Sequence, residues 1–329
     1  MTGADKLTTM DDRHRGRTLT RRPPTRICLE RAPLSRIYLP IAALFFLLGF
    51  DTARAEGTMP DLHKLDRPEI LRFIFYPRQT ERTPPPAGTQ DIDFSMADNV
   101  RIGCRLHRAG KYEPVILYFH GNGETVADYD DIGPFYTGQN LNLLICNYRG
   151  YGWSGGTPSV GGMISDGRAI YRKAREWLAQ NGWTGNFLIM GRSLGSASAI
   201  DLAAEYGAEI DGLIIESGFA ETIPLAAKLG VDLAAMDLTE EDGFNNIRKI
   251  ESVTKPTLIL HGQRDTLIPL GQAQKLHAAA GAKYKELQIV PGADHNSVIM
   301  TGGRLYFETI RRFADKAAGT EQNRWRNNR

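Results

Sequence analysis

A serine between two glycines offers the clearest chemistry in the sequence. The pattern G-x-S-x-G spans residues 191–195, after an apolar stretch at 187–190 and before a stretch rich in small residues at 196–204. A strand, this pattern and a helix together place a nucleophilic serine on a tight turn, where side chains at the glycine positions would collide with their neighbours. We predict that Ser193 is a nucleophile and that the Leu194 amide, at the positive end of the helix, faces a developing oxyanion.

A serine hydroxyl is a weak nucleophile until a base accepts its proton, so a histidine and a carboxylate should accompany it. Asp265 follows the apolar stretch 257–260, and His295 follows the stretch 286–290. The carboxyl ends of parallel strands converge on one edge of a sheet, so we expect both residues to meet Ser193 there. The predicted roles are general base for His295 and orienting acid for Asp265.

Two further carboxylates lie near these positions. Glu216 follows the apolar stretch 212–215 and could replace Asp265 as the acid, although a buried supporting hydrogen bond is the favoured interpretation. Asp294 precedes the base directly. Adjacent loop residues usually point apart, so we do not assign Asp294 to the triad.

A glycine-rich segment, residues 120–124, follows the apolar stretch 114–119 and could form an oxyanion loop. The Asn122 amide is the best candidate for the second oxyanion donor. The alternative is an ordinary glycine turn in which His120 belongs to the core. Residues 148–152 could form a rim of the pocket, but a structural glycine turn is the favoured interpretation.

Short apolar strands alternating with amphipathic helices must position these residues. Two strand-like stretches on either side of Asp98-Asn99 predict an antiparallel hairpin at the start. Helical spacing is visible at 170–178 and 306–317. Further strands are predicted at 114–119, 141–147, 187–190, 212–215, 257–260 and 286–290. These strands are apolar throughout, so we predict an α/β fold with a mostly parallel central sheet flanked by helices.

From about residue 91 to residue 314 the chain resembles the alpha/beta-hydrolase superfamily. It is most similar to the small-cap hydrolases that include membrane-associated protein depalmitoylases and related esterases. The resemblance is carried by five ordered motifs, at residues 119–124, 147–152, 191–195, 261–265 and 294–296. It implies the alpha/beta-hydrolase fold, the three roles assigned above, and oxyanion amides at Asn122 and Leu194.

Residues 218–255 separate two predicted strands and are rich in apolar side chains, which predicts a short helical cap. A small cap leaves the cleft open, which suits a carbonyl on an acyl chain or a bulky carrier. We expect carboxylic-ester or thioester hydrolysis through an acyl-enzyme on Ser193, with a small or lipid-like acyl ester as substrate. The alternatives are a serine peptidase of the same fold and a non-catalytic envelope protein that binds a lipid or a partner.

The first 55 residues have the pattern of a targeting segment. Nine basic and four acidic residues precede an uncharged apolar run at 37–50, and Ala53-Arg54-Ala55 follows. This pattern favours a cleaved signal peptide over an uncleaved membrane anchor, and a cytosolic core helix is disfavoured because the run has no polar face. Either favoured option puts the body outside the cytoplasm, in the periplasm or extracellular space, with possible membrane association. A lead-in segment without visible chemistry (56–90), the hydrolase domain (91–317) and a polar tail (318–329) complete the predicted organisation.

The remaining composition excludes several classes of function. Beyond residue 36 the chain carries 31 basic and 34 acidic residues, which offers no electrostatic footprint for nucleic acid. The histidines lack paired metal-ligand spacing and no dinucleotide-binding glycine loop is present, so neither metal nor cofactor is expected. Cys104 and Cys146 lie in apolar strands. In an exported chain they could form a disulfide, since the predicted fold would place their strands side by side, but buried free thiols are the favoured expectation.

Overall fold

A mixed eight-stranded sheet organises residues 62–319, the part of the chain that the computed structural model describes. The strands are β1 (Thr89–Ser95), β2 (Arg101–His107), β3 (Val115–Phe119), β4 (Asn142–Cys146), β5 (Phe187–Arg192), β6 (Gly212–Glu216), β7 (Thr257–Gly262) and β8 (Lys285–Val290). Their order is β1-β2-β4-β3-β5-β6-β7-β8. The pairs β1–β2 and β2–β4 are antiparallel and all other neighbours are parallel. The predicted α/β fold with an initial hairpin is confirmed.

Helices cover both faces of this sheet. They are α1 (Pro68–Ile74), α2 (Gly133–Gly138), α3 (Val160–Gln180), α4 (Gly195–Glu205), α5 (Thr222–Lys228), α6 (Asn246–Glu251), α7 (Leu270–Ala279) and α8 (Val298–Ala317). On β3, Leu117 and Phe119 pack into the core under α3, α4, α6 and α7, whereas Ile116 and Tyr118 pack into the core under α2 and α8. Successive side chains of a strand point to opposite faces, so both sets must be apolar here.

The segment between β6 and β7 is short and helical, as predicted for the cap. It contains α5, α6 and two 3-10 turns, Ala234–Met236 and Glu240–Asp242. Glu240 joins the two parts of the cap, because its carboxylate accepts hydrogen bonds from the amides of Thr222 and Ile223 at 2.6 and 2.9 Å. These bonds fix the start of α5 beside the sheet.

The lead-in segment packs against the body of the protein. A 3-10 turn, Leu62–Leu65, precedes α1, and the Asp66 carboxylate accepts a 2.6 Å hydrogen bond from the Val160 amide at the start of α3. Lys64 forms an ion pair with Asp242 of the cap at 2.6 Å. The segment therefore links α3 to the cap before the sheet begins.

Cys104 and Cys146 form a disulfide, so the expectation of free thiols is wrong. The two residues are register partners on the antiparallel strands β2 and β4, with their Cα atoms 4.1 Å apart. The apolar pattern around each cysteine indicates that its strand is buried. The predicted fold would place the two strands side by side, as observed. The wrong step is the preference for free thiols, which rests on the usual state of isolated strand cysteines.

The predicted leader, residues 1–55, and most of the predicted polar tail lie outside the described residues. Within residues 62–319, no helix is both long and apolar enough to cross a bilayer. The predicted boundaries of the leader, lead-in segment, domain and tail stay predictions.

Candidate active site

Ser193 occupies a sharp turn between β5 and α4. Its φ angle is +52°, a left-handed conformation that is rare for a residue with a side chain and is typical of strained functional turns. Its amide donates a 2.9 Å hydrogen bond to the Glu216 carbonyl of the neighbouring strand. A Cβ at Gly191 would lie 2.2 Å from the Gly195 carbonyl oxygen, and one at Gly195 would lie 2.1 Å from the Phe119 carbonyl oxygen. The turn can therefore form only with glycine at both positions.

The three residues predicted to act together do meet at the carboxyl edge of the sheet. His295 Nε2 lies 2.9 Å from Ser193 Oγ, and His295 Nδ1 lies 2.7 Å from Asp265 Oδ2. All three are at least nine-tenths buried. With Nδ1–H donating to the carboxylate, the Nε2 lone pair faces the serine hydroxyl, which is the arrangement that removes a hydroxyl proton during nucleophilic attack.

The loop after β7 holds the Asp265 carboxylate from its other side. Oδ1 accepts hydrogen bonds from the amides of Leu267 and Ile268 at 3.0 and 2.8 Å. His261 braces the same loop, since its Nε2 donates to the Ile268 carbonyl at 2.8 Å, and burial lowers its pKa. Asp265 thus keeps one oxygen for the loop and one for His295.

Asn122 and Leu194, the predicted oxyanion donors, both line a cleft beside Ser193. Leu194 stands at the N-cap of α4, where main-chain amides and the helix dipole favour negative charge. The Asn122 side chain is itself anchored, because its Oδ1 accepts 2.7 Å hydrogen bonds from the Tyr76 amide and the Tyr151 hydroxyl. The loop is thus held in one position beside the serine.

His120 and the segment 148–152 contact each other and support the oxyanion loop. The Tyr148 hydroxyl donates to the His120 carbonyl at 2.7 Å, and the fully buried His120 ring packs edge-on against Tyr148. Burial lowers the pKa of His120. The geometry therefore favours the structural interpretation of both elements, with Tyr151 also anchoring Asn122.

Neither alternative carboxylate contacts the base side chain. Glu216 is 1% exposed and accepts a 2.5 Å hydrogen bond from the Tyr306 hydroxyl, with Arg192 Nε at 3.3 Å on its other oxygen. Asp294 is exposed and accepts hydrogen bonds from the Asn296 amide and the Ser297 hydroxyl within its own loop. Both arrangements agree with leaving these residues out of the triad.

The cleft above Ser193 has a volume of about 80 Å³ and an apolar lining. Its walls come from the lead-in segment, the cap and the loop after β7: Ile74, Phe219, Thr222, Leu225, Ala226, Leu229, Phe244, Leu267 and Ile268. A groove of about 250 Å³ adjoins it and shares Phe219, Leu225, Leu267 and Ile268. Sequence reasoning missed Ile74. The only available signal was the apolar patch at residues 70–76, which by itself fits any core helix.

Within the described residues, no cluster of histidine, cysteine, aspartate or glutamate could hold a metal ion. None of the residues that line the cleft carries a charge. The groups present at the cleft are the Ser193 hydroxyl and the main chain of Asn122 and Leu194, with the His295 imidazole 2.9 Å from the hydroxyl.

Comparison with known proteins shows which proteins this chain is similar to. The family model Hydrolase_4, described as "Serine aminopeptidase, S33", matches residues 110–236. An uncharacterized protein of Mycobacterium tuberculosis is 31% identical over 85% of this chain and 96% of its own length. Human alpha/beta hydrolase domain-containing protein 17B is 32% identical over 66% of this chain and 72% of its own length.

The fold is also similar to a solved structure, the esterase Pf2001 of Pyrococcus furiosus. The TM-score is 0.61 at 18% identity, covering 73% of this chain and 98% of the esterase. At that identity the likeness concerns the fold. The identity to the human protein, over more than two thirds of that protein's length, shows that the chain belongs to the alpha/beta-hydrolase family.

Proposed function

We propose that this protein is a serine hydrolase that cleaves carboxylic-ester or thioester bonds through an acyl-enzyme on Ser193. The observation that carries the proposal is the hydrogen-bonded series Ser193, His295 and Asp265 at the base of an apolar cleft. A nucleophile, a base and an orienting acid in this geometry are the requirements for acyl transfer.

The proposed reaction has two halves. His295 Nε2 takes the hydroxyl proton as Ser193 Oγ attacks the acyl carbonyl, and the amides of Asn122 and Leu194 stabilise the negative oxygen of the tetrahedral intermediate. The imidazolium then protonates the leaving alcohol or thiol. Water, deprotonated by the same imidazole, attacks the acyl-enzyme. As the bond between the acyl carbon and Ser193 Oγ breaks, the imidazolium returns the proton to Oγ and the acid is released. Asp265 keeps Nδ1 protonated and offsets the charge of the imidazolium in both halves.

The cleft favours an acyl chain over a peptide. An aminopeptidase must bind the α-ammonium group of its substrate, for which a buried carboxylate is the usual partner. No acidic side chain lines the cleft or the adjoining groove among residues 62–319. Apolar walls in contact with the nucleophile instead gain free energy by burying methylene groups, about 0.8 kcal/mol for each. Peptide hydrolysis is the alternative to test, because the matching family model is described as a serine aminopeptidase.

A fluorophosphonate probe and a substrate panel test the proposal. We expect the probe to label the native protein and not Ser193→Ala, and p-nitrophenyl esters and acyl thioesters to be hydrolysed faster than aminoacyl amides. A preference for amides would favour the peptidase. Folded wild-type protein that neither reacts with the probe nor turns over any substrate would favour the non-catalytic binder.

We also propose that the protein acts outside the cytoplasm. The leader pattern at residues 1–55 supports this, and so does the disulfide between Cys104 and Cys146, because disulfides persist mainly in oxidising compartments. A reporter that is active only after export, fused behind residue 61, would be active if the proposal holds. An inactive reporter expressed at a normal level would refute it.

A further inference from the structure

Arg192 is the second residue of the G-x-S-x-G pattern, directly before Ser193, and does not line the cleft. Its side chain is 8% exposed and contacts three separate parts of the site. Nε lies 3.3 Å from Glu216 at the end of β6, and Nη1 pairs with Glu124 on the oxyanion loop. Nη2 donates to the His295 carbonyl at 2.9 Å and to the Asn296 side chain at 3.1 Å. One planar group thus joins the elbow, the oxyanion loop and the loop of the base.

The Glu124 contact carries this connection to the oxyanion loop. The second carboxylate oxygen of Glu124 accepts 2.7 Å hydrogen bonds from the Gly121 amide and the Tyr129 hydroxyl. Burial raises the pKa of Glu124, but the Arg192 guanidinium, the His120 ring and the hydrogen bonds from Tyr129 and Gly121 together outweigh this effect, so the pKa lies below its usual value. Glu124 is therefore a carboxylate that ties Arg192 to the residue next to Asn122.

The two hydrogen bonds from Nη2 carry the connection to the base. One of them holds the main-chain carbonyl of His295 itself, so the residue is fixed at its ring by Asp265 and at its backbone by Arg192. Asn296 supplies a second contact one residue later. A guanidinium can serve all these directions because its N–H donors lie in one rigid fork, which a lysine ammonium lacks.

Stability alone is a poor reason for this arrangement. Burying a guanidinium with two carboxylates costs desolvation that apolar side chains of the same volume avoid. Burial of Glu216 raises the pKa of its carboxyl group, and the positive charge of Arg192 opposes this effect. The geometry points instead to alignment of reacting groups, where displacements near 1 Å change rates by about 100-fold.

We propose that Arg192 is a positioning residue that fixes the base loop and the oxyanion loop relative to Ser193. This inference rests on the proposed function. Arg192→Met should lower kcat about 100-fold with KM within about twofold, because the cleft walls are untouched while the aligned groups separate. The rate constant for fluorophosphonate labelling should fall in parallel. Arg192→Lys keeps the charge and one contact, and should recover about tenfold of the lost kcat.

Arg105→Met is the matched control. Arg105 is likewise a buried arginine, pairs with Asp91 and Asp130 at 2.7 Å, and lies on β2 and not among the residues that line the cleft. Its loss should reduce thermal stability as much as Arg192→Met does, while kcat per folded molecule, measured with the folded fraction from circular dichroism, stays within about twofold of wild type.

Several outcomes would overturn the inference. They are a folded Arg192→Met with wild-type kcat, a loss confined to KM, or equal losses per folded molecule in the Arg192 and Arg105 variants. Should Arg192→Met not fold, Arg192→Lys decides, because a wild-type kcat and labelling rate in that variant would equally refute the role. Activity that survives Ser193→Ala would instead refute the proposed function, so the two failures are distinguishable.

Discussion

Replacing Asp265 by asparagine tests the orientation of the base with almost no change in shape. The Oδ1 position accepts from two main-chain amides at 2.8 and 3.0 Å, so the oxygen of the new carboxamide must take that place. Its NH₂ group is then directed at His295 Nδ1, 2.7 Å from the present Oδ2. Flipping the carboxamide would place its NH₂ against the two amide donors.

The consequence is a reversed imidazole tautomer. Nδ1 must accept from the carboxamide, so the ring proton moves to Nε2, which lies 2.9 Å from Ser193 Oγ and can no longer accept the hydroxyl proton. The variant also loses the negative charge that offsets the imidazolium. We expect kcat to fall about 10⁴-fold, equivalent to about 5 kcal/mol of transition-state stabilisation, with KM nearly unchanged.

The assay is the steady-state hydrolysis of p-nitrophenyl butyrate, with active protein normalised by circular dichroism and thermal unfolding. Asp294→Asn is the control, because Asp294 adjoins the base but is exposed and bonds only within its own loop. It should retain kcat within about twofold. Asp265→Asn with more than a hundredth of the wild-type kcat would show that the tautomer argument is wrong.

Three further changes probe the turn, the cleft and the crosslink. Gly191→Ala should lower the free energy of unfolding, measured in urea, by about 3 kcal/mol because the new Cβ meets a carbonyl oxygen. The control Gly271→Ala has open space around its Cβ and should be neutral or slightly stabilising. Equal effects of the two variants would refute the steric argument. Ile74→Trp should lower kcat/KM for octanoyl esters about tenfold and leave kcat/KM for acetyl esters unchanged. An equal loss of kcat/KM for every acyl length would show that Ile74 does not contact the acyl chain. The double variant Cys104→Ala/Cys146→Ala should have a free energy of unfolding about 4 kcal/mol below that of the wild type, as expected for the loop that this disulfide closes. A reductant should destabilise the wild type but not the double variant.

The meeting of Ser193, Asp265 and His295 could be predicted because each follows a recognisable strand. Strand ends in a parallel sheet converge whatever the details of packing, so chain order and local pattern were sufficient. For Cys104 and Cys146 the predicted fold indicates neighbouring strands, but the sequence pattern does not show whether neighbouring buried thiols are oxidised, and the disulfide was therefore not the favoured expectation. The contacts of Arg192 could not be predicted from local sequence either, because its partners come from three distant segments.

Helix boundaries show a second limit of local reasoning. The amphipathic pattern predicted a helix at 170–178, but α3 begins at Val160. Glycines between 160 and 169 weaken the helical signal, while Ser159 caps the helix and Asp66 accepts a hydrogen bond from its first amide. α8 likewise begins at Val298 rather than near 306, with a kink at Gly303, where φ is +50°. In α3 a local cap and a tertiary contact thus support a first turn that the amphipathic pattern does not indicate.

The stretch ahead of the first strand limits how far the chain can be trimmed. Ile74 forms part of the cleft wall, and the Tyr76 amide holds Asn122, so a protein shortened to residue 91 would keep its nucleophile but lose a wall and a brace. If a processing peptidase removes the leader, its cut must fall ahead of α1 for the product to keep this wall and this brace. Affinity tags for purification therefore belong at the carboxyl end, and an amino-terminal deletion series should show an abrupt loss of turnover as it passes into α1.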